Sequence, residues 1–118
     1  MRSARDVVHF SSGLDVRDIA AQWATDHGYR TLRMSGSALV FGKRAALVAL
    51  PVMVELASRD AVHTLSCWGR LSRLVVTRDI SLTDPARAGR AHRRRAQREV
   101  NALLWALGAP PLDGSRQE

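Results

Sequence analysis

Four histidines and one cysteine are the residues of this 118-residue chain best suited to catalysis or metal binding. The histidines are His9, His27, His63 and His92, and no two have His-x-x-x-His or Glu-x-x-His spacing, so the pattern supports no metal site. His63 and Cys67 would share one face of a strand about 13 Å apart, which is too far for a base to activate a thiol. The sequence therefore predicts no catalytic residue, no bound metal and no cofactor.

Acid–base and phosphate-binding motifs give no better basis for an enzyme. The chain has only three glutamates, one of them the last residue, which leaves little for paired-carboxylate chemistry. Gly42-Lys43 lacks the rest of a P-loop and is predicted to be a turn, and Ser66 lacks the glycines of a nucleophile elbow. We therefore expect a binding module rather than an enzyme.

Positive charge is concentrated in one short segment near the C-terminus. The chain carries +7 overall, and residues 85–98 contain six arginines and no acid. These are Arg87, Arg90, Arg93, Arg94, Arg95 and Arg98. The remainder of the chain carries 12 basic and 11 acidic residues, so it is nearly neutral. Such a segment is typical of proteins that bind an anionic partner, although a solvated helix face explains it equally well.

A helical projection of this segment places an aromatic residue beside the arginines. With Val100 at zero, the apolar residues fall within about 60° on either side, whereas a basic stripe lies between about 100° and 160°. The stripe comprises Arg87, Arg94, Arg98, Asn101 and Trp105. Guanidinium groups suit phosphates and a flat indole suits stacking on an unpaired base. The predicted partner is therefore nucleic acid or another polyanion, bound by Arg87, Arg90, Arg94, Arg95, Arg98, Asn101 and Trp105.

Other interpretations of this stripe stay open. Trp105 has an alternative place under the Pro110-Pro111 turn or against a second subunit. Arg93 falls about 20° from Val100, so either the start of the helix overhangs the sheet or Arg93 pairs with an acid such as Asp79 or Glu55. Binding to anionic lipid is less favoured, because the basic and apolar residues lie in different halves of the helix.

The elements that must position these residues begin with a strand and a helix. Val7 to Phe10 is predicted to be a strand, and a helix with an apolar stripe from Val16 to Ala24 follows it. Ser12 and Asp15 are alternative starts for that helix, and Gly28 is predicted to end it. Thr31 to Met34 and Ala38 to Phe41 flank Ser35-Gly36-Ser37 as a hairpin.

Three further strands and a long helix complete the predicted fold. The strands are predicted at residues 45–56, 62–68 and 72–82, with Pro51 marking a bulge, an edge or a break. Asp84-Pro85 favours a helix start, and Gly108 with the following prolines ends that helix after Leu107. The sequence thus predicts a single α+β domain over residues 1–118, with an ordered core at 7–111, a polar tail at 112–118 and helices on one face of a curved antiparallel sheet.

The predicted strand 45–56 is apolar on both faces. The two helices can cover only one side of the sheet, so the other needs a second subunit, a small apolar ligand or residues folded over from the hairpin. We expect a homodimer. A second candidate function is a carrier or sensor of a small apolar molecule held between the sheet and the last helix, as in the helix-grip proteins that the order of elements resembles. A third is an adaptor whose arginines meet an acidic protein.

The order of elements resembles that of the helix-grip and TATA-binding-protein-like folds, in which a curved antiparallel sheet cradles a C-terminal helix. Separately, the segment from Asn101 to Pro111, with Pro51 and Trp68 before it, is similar to the end of small bacterial proteins of unassigned function that close on Asn-x-Leu-Leu…Leu-Gly-x-Pro-Pro. The resemblance implies a fold but no activity.

Cysteine use and hydropathy give the expected compartment. Cys67 is the only cysteine, so the chain contains no intramolecular disulfide, as is usual for cytosolic proteins. Residues 1–8 lack the apolar stretch of a secretory signal, and the apolar run 45–54 is about half the length that spans a bilayer. We therefore expect a cytoplasmic protein.

Overall fold

The computed structural model describes residues 5–43, 51–73, 76–84 and 90–112. Its elements are β1 (Asp6–Ser11), α1 (Val16–His27), β2 (Arg30–Met34), β3 (Ala38–Lys43), β4 (Val52–Arg59), β5 (Val62–Arg73), β6 (Val76–Ile80) and α2 (Arg90–Leu107). The predicted α+β fold, with an antiparallel sheet and a C-terminal helix, is confirmed.

The strands form one curved, open sheet in the order β1-β5-β4-β3-β2, with every pairing antiparallel. β5 is the longest strand, and the edge of β5 away from β4 pairs with two strands in turn. Its first half pairs with β1, where Asp6 lies opposite Cys67, and its second half pairs with β6, where Ile80 lies opposite Gly69. Strands β1 and β6, the first and last strands of the described residues, therefore meet beside the middle of β5.

Both helices pack on one face of this sheet. On β4, Val52, Val54 and Leu56 point into the apolar core, and the alternate residues Met53 and Glu55 point to the opposite, outer face. From α2, Val100, Leu103, Leu104 and Leu107 enter the core with no exposed surface. The predicted apolar stripe of the C-terminal helix is confirmed.

Helix α1 begins and ends at the residues that the sequence indicates. Asp15 is the N-cap, and its side chain accepts a hydrogen bond from the backbone N–H of Asp18 at 3.3 Å. Gly28 takes φ 78°, a left-handed conformation that glycine adopts without a steric penalty. Tyr29 follows it into the core, with its ring 4.5 Å from that of Trp23. Of the two alternative starts, Asp15 is the one that is used.

The last part of the sheet differs from the sequence prediction. We predicted a single strand over residues 72–82, but Ser72 belongs to β5 and is paired with Thr77 of β6. The chain therefore reverses between Arg73 and Val76. The prediction was wrong because the alternation of apolar and polar residues runs through this reversal without a glycine, proline or asparagine to mark it.

The two ends of the predicted long helix have different outcomes. Its C-terminal end is confirmed, since α2 stops at Leu107 and Gly108 takes φ 75°. Its predicted start at Pro85 lies outside the described residues, which resume at Arg90. The core extends one residue past the predicted boundary, because Leu112 is buried against the rest of the cluster. The part of the predicted strand before Pro51 also lies outside the described residues.

The hairpin covers part of the outer face of the sheet. Leu32 lies over Gly42, so that a Cβ atom at position 42 would stand 2.6 Å from Leu32 Cδ1 and 3.4 Å from Met53 Sδ. Farther along the same face, the guanidinium of Arg5 stacks 3.7 Å from the centre of the Trp68 ring. The sequence left three ways to cover this face: a second subunit, a small apolar ligand or residues of the hairpin. At Gly42 and Met53 the structure shows the hairpin residue Leu32.

Candidate nucleic-acid interface

Helix α2 carries four arginines whose side chains are exposed. They are Arg90, Arg94, Arg95 and Arg98. Within the described ranges, no carboxylate, carbonyl or hydroxyl is bonded to any of these four guanidinium groups. Two acids of the described chain are engaged elsewhere: Glu99 with Lys43, and Asp79 with Arg5. The charge on this helix is therefore not neutralised by the described part of the fold.

The aromatic residue of the stripe is also exposed. Trp105 keeps 87% of its surface accessible, against 6% for Trp23 and 4% for Trp68. Such exposure rules out the alternative in which Trp105 packs under the Pro110-Pro111 turn. An exposed indole leaves a large apolar surface in contact with water.

The helix geometry aligns these groups along one side of α2. Arg90, Arg94 and Arg98 follow one another at four-residue intervals, so their Cα atoms rise by about 6 Å from one to the next. Trp105 lies about 10 Å farther along, seven residues after Arg98. We call Arg90, Arg94, Arg98 and Trp105 the basic stripe. This set adds Arg90 to the predicted stripe and omits two predicted members: Asn101, which has an internal role, and Arg87, which lies outside the described residues.

Arg95 lies away from the basic stripe, on the other exposed flank of α2. There it lines a shallow pocket together with His92, Glu99, Lys43 and Tyr29. Lys43 Nζ donates to Glu99 Oε2 at 2.9 Å, and the Tyr29 hydroxyl donates to Glu99 Oε1 at 3.1 Å. Glu99 thereby ties α2 to the end of β3, and the exposed guanidinium of Arg95 is bonded to none of the described groups. No feature of the sequence pointed to this cluster.

Asn101 has an internal role that the sequence did not indicate. Its Oδ1 accepts a 2.7 Å hydrogen bond from the backbone N–H of Leu112, while Gln97 Nε2 donates to the carbonyl of Leu112 at 3.4 Å. The two amides hold the segment after Gly108 against the helix. Asn101 is half-buried and lies beside the basic stripe, not among its exposed side chains.

Among the described arginines of α2, Arg93 is the one that is buried. It is 1% exposed and donates hydrogen bonds to the carbonyls of Ser81 and Asp84, at 3.2 Å and 2.5 Å. Burial lowers its pKa, and the nearby Asp84 and Asp6 partly oppose that effect. Neither Asp79 nor Glu55 is the observed partner. The signal for burial was present in the helical projection, which placed Arg93 close to Val100.

Two of the histidines lie within hydrogen-bond distance of hydroxyl groups in the sheet. His9 Nδ1 lies 3.0 Å from Thr64 Oγ1, and His63 Nδ1 lies 2.8 Å from Ser58 Oγ. Cys67 is fully buried, and burial raises the pKa of its thiol well above the usual range. In the described part of the chain, histidine, cysteine and carboxylate side chains form no group of three that would hold a metal.

No family model, no curated protein and no solved structure matches this chain. In the parts of the chain that the structure covers, neither helix has the length and apolar character needed to cross a bilayer.

Proposed function

We propose that this protein is a non-enzymatic module that binds a polyanion, most of all nucleic acid, through the arginines of α2. The observation that carries the proposal is the exposure of Arg90, Arg94, Arg95 and Arg98 without an internal partner among the described residues. Arginine donates up to five N–H groups in a planar fork that matches phosphate oxygens. A phosphate chain is the ligand that satisfies several such forks at once.

The release of condensed counterions would supply much of the affinity. Each phosphate neutralised on duplex DNA changes the slope of log K against log salt by about −0.9. Four arginines in contact would therefore give a slope of about −4. Binding of this kind is strong at low salt and falls steeply towards physiological salt.

The other candidates have less support from the described residues. A carrier of an apolar molecule needs space between sheet and helix, but the side chains of Val100, Leu103, Leu104 and Leu107 fill that layer with no exposed surface. An adaptor for an acidic protein uses the same arginines. An acidic protein offers no base that could stack on an aromatic ring. The exposed Trp105 beside the arginines therefore favours nucleic acid over an acidic protein.

A charge-reversal experiment tests the proposal. Fluorescence anisotropy with a labelled oligonucleotide at low salt is measured for wild type, for Arg94→Glu/Arg98→Glu, and for Arg59→Glu/Arg70→Glu. The last variant makes the same change in net charge at exposed residues of β4 and β5. We expect the α2 variant to lose binding and the sheet variant to retain most of it, with thermal stability unchanged in both. Equal losses, or no binding by wild type, would overturn the proposal.

We also propose that the protein acts as a cytoplasmic homodimer. Support comes from β2, an end strand of the sheet whose five side chains are all exposed, including Met34 at 71% and Leu32 at 54%. Exposed apolar residues on an end strand favour contact with a second sheet. Sedimentation over a range of concentrations tests this. A dimer weakened by Met34→Lys supports it, and a monomer at every concentration contradicts it.

A further inference from the structure

We infer that the nucleic acid recognised here is single-stranded, with its phosphates on Arg90, Arg94 and Arg98 and one unpaired base stacked on Trp105. This inference rests on the proposed function and narrows it to a class of ligand. It depends on how Trp105 is presented and on how the arginines of the stripe are spaced.

The indole of Trp105 is presented as an open platform. Residues three and four positions earlier are its neighbours on the helix surface, and at Trp105 these are Ala102 and Asn101. After the helix ends at Leu107 the chain continues with Gly108 and Ala109, which also have no long side chain to lie across the ring. Together with the 87% exposure, this leaves the ring accessible for stacking.

A base pair in a duplex does not offer what such a ring needs. Paired bases expose their edges in the grooves, whereas their faces are covered by neighbouring pairs. An unpaired base exposes its face, and stacking on an aromatic side chain is the usual way that proteins hold single strands.

The amide next to the basic stripe is not available to read adenine. Bidentate recognition of adenine uses both the oxygen and the nitrogen of an amide such as that of Asn101. Its oxygen already accepts the 2.7 Å hydrogen bond from Leu112, and the residue is half-buried. The three arginines spaced by about 6 Å suit a backbone lying along the helix. The combination fits a strand held by its phosphates and one base.

Trp105→Ala, with Trp105→Phe beside it, tests the inference by anisotropy. Three labelled probes of equal length are compared at one low salt concentration: single-stranded oligothymidylate, a duplex, and an abasic strand that has the phosphates without the bases. We expect wild type to prefer oligothymidylate. Trp105→Ala should weaken that binding about 10- to 100-fold, as expected for the loss of one stacked base, with partial recovery in Trp105→Phe. Binding to the abasic strand should be unchanged by either variant.

The outcomes separate this inference from the proposed function. Equal affinity for the three probes, or no effect of Trp105→Ala, would overturn the single-strand inference while leaving polyanion binding in place. Failure of wild type to bind any probe would overturn both and leave an acidic protein as the partner. Because Trp105 is almost fully exposed, neither substitution should change thermal stability, and unchanged melting confirms that the comparison concerns binding alone.

Discussion

Asp6 and Arg93 both bond to the backbone of one turn, at residues 81–84. The carboxylate of Asp6 accepts hydrogen bonds from the backbone N–H groups of Leu82 and Thr83 at 2.7 Å and 3.2 Å. Arg93 donates to carbonyls of the same turn, at Ser81 and Asp84. This turn follows β6 and precedes α2, so the two side chains help to fix where α2 lies on the sheet.

Removing the Arg93 side chain should destabilise the fold. In Arg93→Ala, the carbonyls of Ser81 and Asp84 each lose one hydrogen bond and the buried Asp6 loses a nearby positive charge, so we expect the free energy of unfolding to fall by about 2–4 kcal/mol. Arg94→Ala is the matched control, since its side chain is exposed, and it should change stability by no more than about 0.5 kcal/mol. Urea unfolding measures both. Similar effects of the two substitutions would contradict the assignment of Arg93 as an internal anchor.

Asp6 should make stability depend on pH in a defined direction. Burial raises its pKa above 3.8, and the hydrogen bonds from Thr83 and Leu82 only partly offset this. Between the unfolded pKa and the raised folded pKa, the native state binds more protons, so the contribution of Asp6 to stability decreases as pH rises through that window. Asp6→Asn does not titrate there.

We therefore expect the free energy of unfolding of wild type, relative to Asp6→Asn, to decline from below pH 4 towards neutrality. Urea titrations at a series of pH values give this difference. An increase with pH would mean that hydrogen bonding outweighs burial and that the pKa of Asp6 is lowered.

Tyr29 should resist ionisation in the native protein. Burial raises its pKa, and the negative charge of Glu99 adds to the effect. As the only tyrosine, it can be followed by phenolate absorbance without interference from another tyrosine. The unfolded chain releases this proton near pH 10 while the native chain keeps it, so stability should fall as pH rises above about 10.

Two variants separate the causes. Glu99→Gln should lower the pH at which the phenol ionises without returning it to the usual value, because burial is the larger cause. Tyr29→Phe should lessen the loss of stability at high pH. Ionisation of native wild type at the usual pH would show that Tyr29 is more accessible to water than its 6% exposure indicates.

A methyl group at position 42 should displace the side chain of Leu32. In Gly42→Ala the new Cβ atom would stand 2.6 Å from Leu32 Cδ1, so that side chain must rotate away. We expect a loss of about 1 kcal/mol, and little loss when the change is made in a Leu32→Ala background. Gly36→Ala is the control, because nothing lies within 4 Å of its new methyl group. A loss that persists without Leu32 would show that Met53 is the obstacle.

The predictable parts of the fold were those set by neighbours in sequence. Asp15 and Gly28 bound α1 because a cap and a left-handed residue act on their own helix. The hairpin at Ser35–Ser37 is likewise a local turn, in which the backbone N–H of Ser35 donates to the carbonyl of Ala38 at 2.9 Å. The reversal between β5 and β6 was missed because nothing in its residues marks a turn.

The candidate site divides in the same way. The density of arginines and the projection of α2 predicted a basic stripe with Trp105, since helix periodicity alone determines which side chains align. The internal use of Asn101 depends on the chain folding back after Gly108, so that Leu112 reaches it. No spacing within the helix contains that information.

The sequence by itself determined the fold class, the limits of α1, the C-terminal end of α2 and the concentration of positive charge in one segment, because each follows from short-range periodicity, capping or composition. Only the tertiary structure decided which charges remain available. Glu99 meets Lys43 rather than an arginine of its own helix, and Arg93 turns inward to the turn that Asp6 holds. These pairings join residues distant in sequence, and burial in a common core is what selects them.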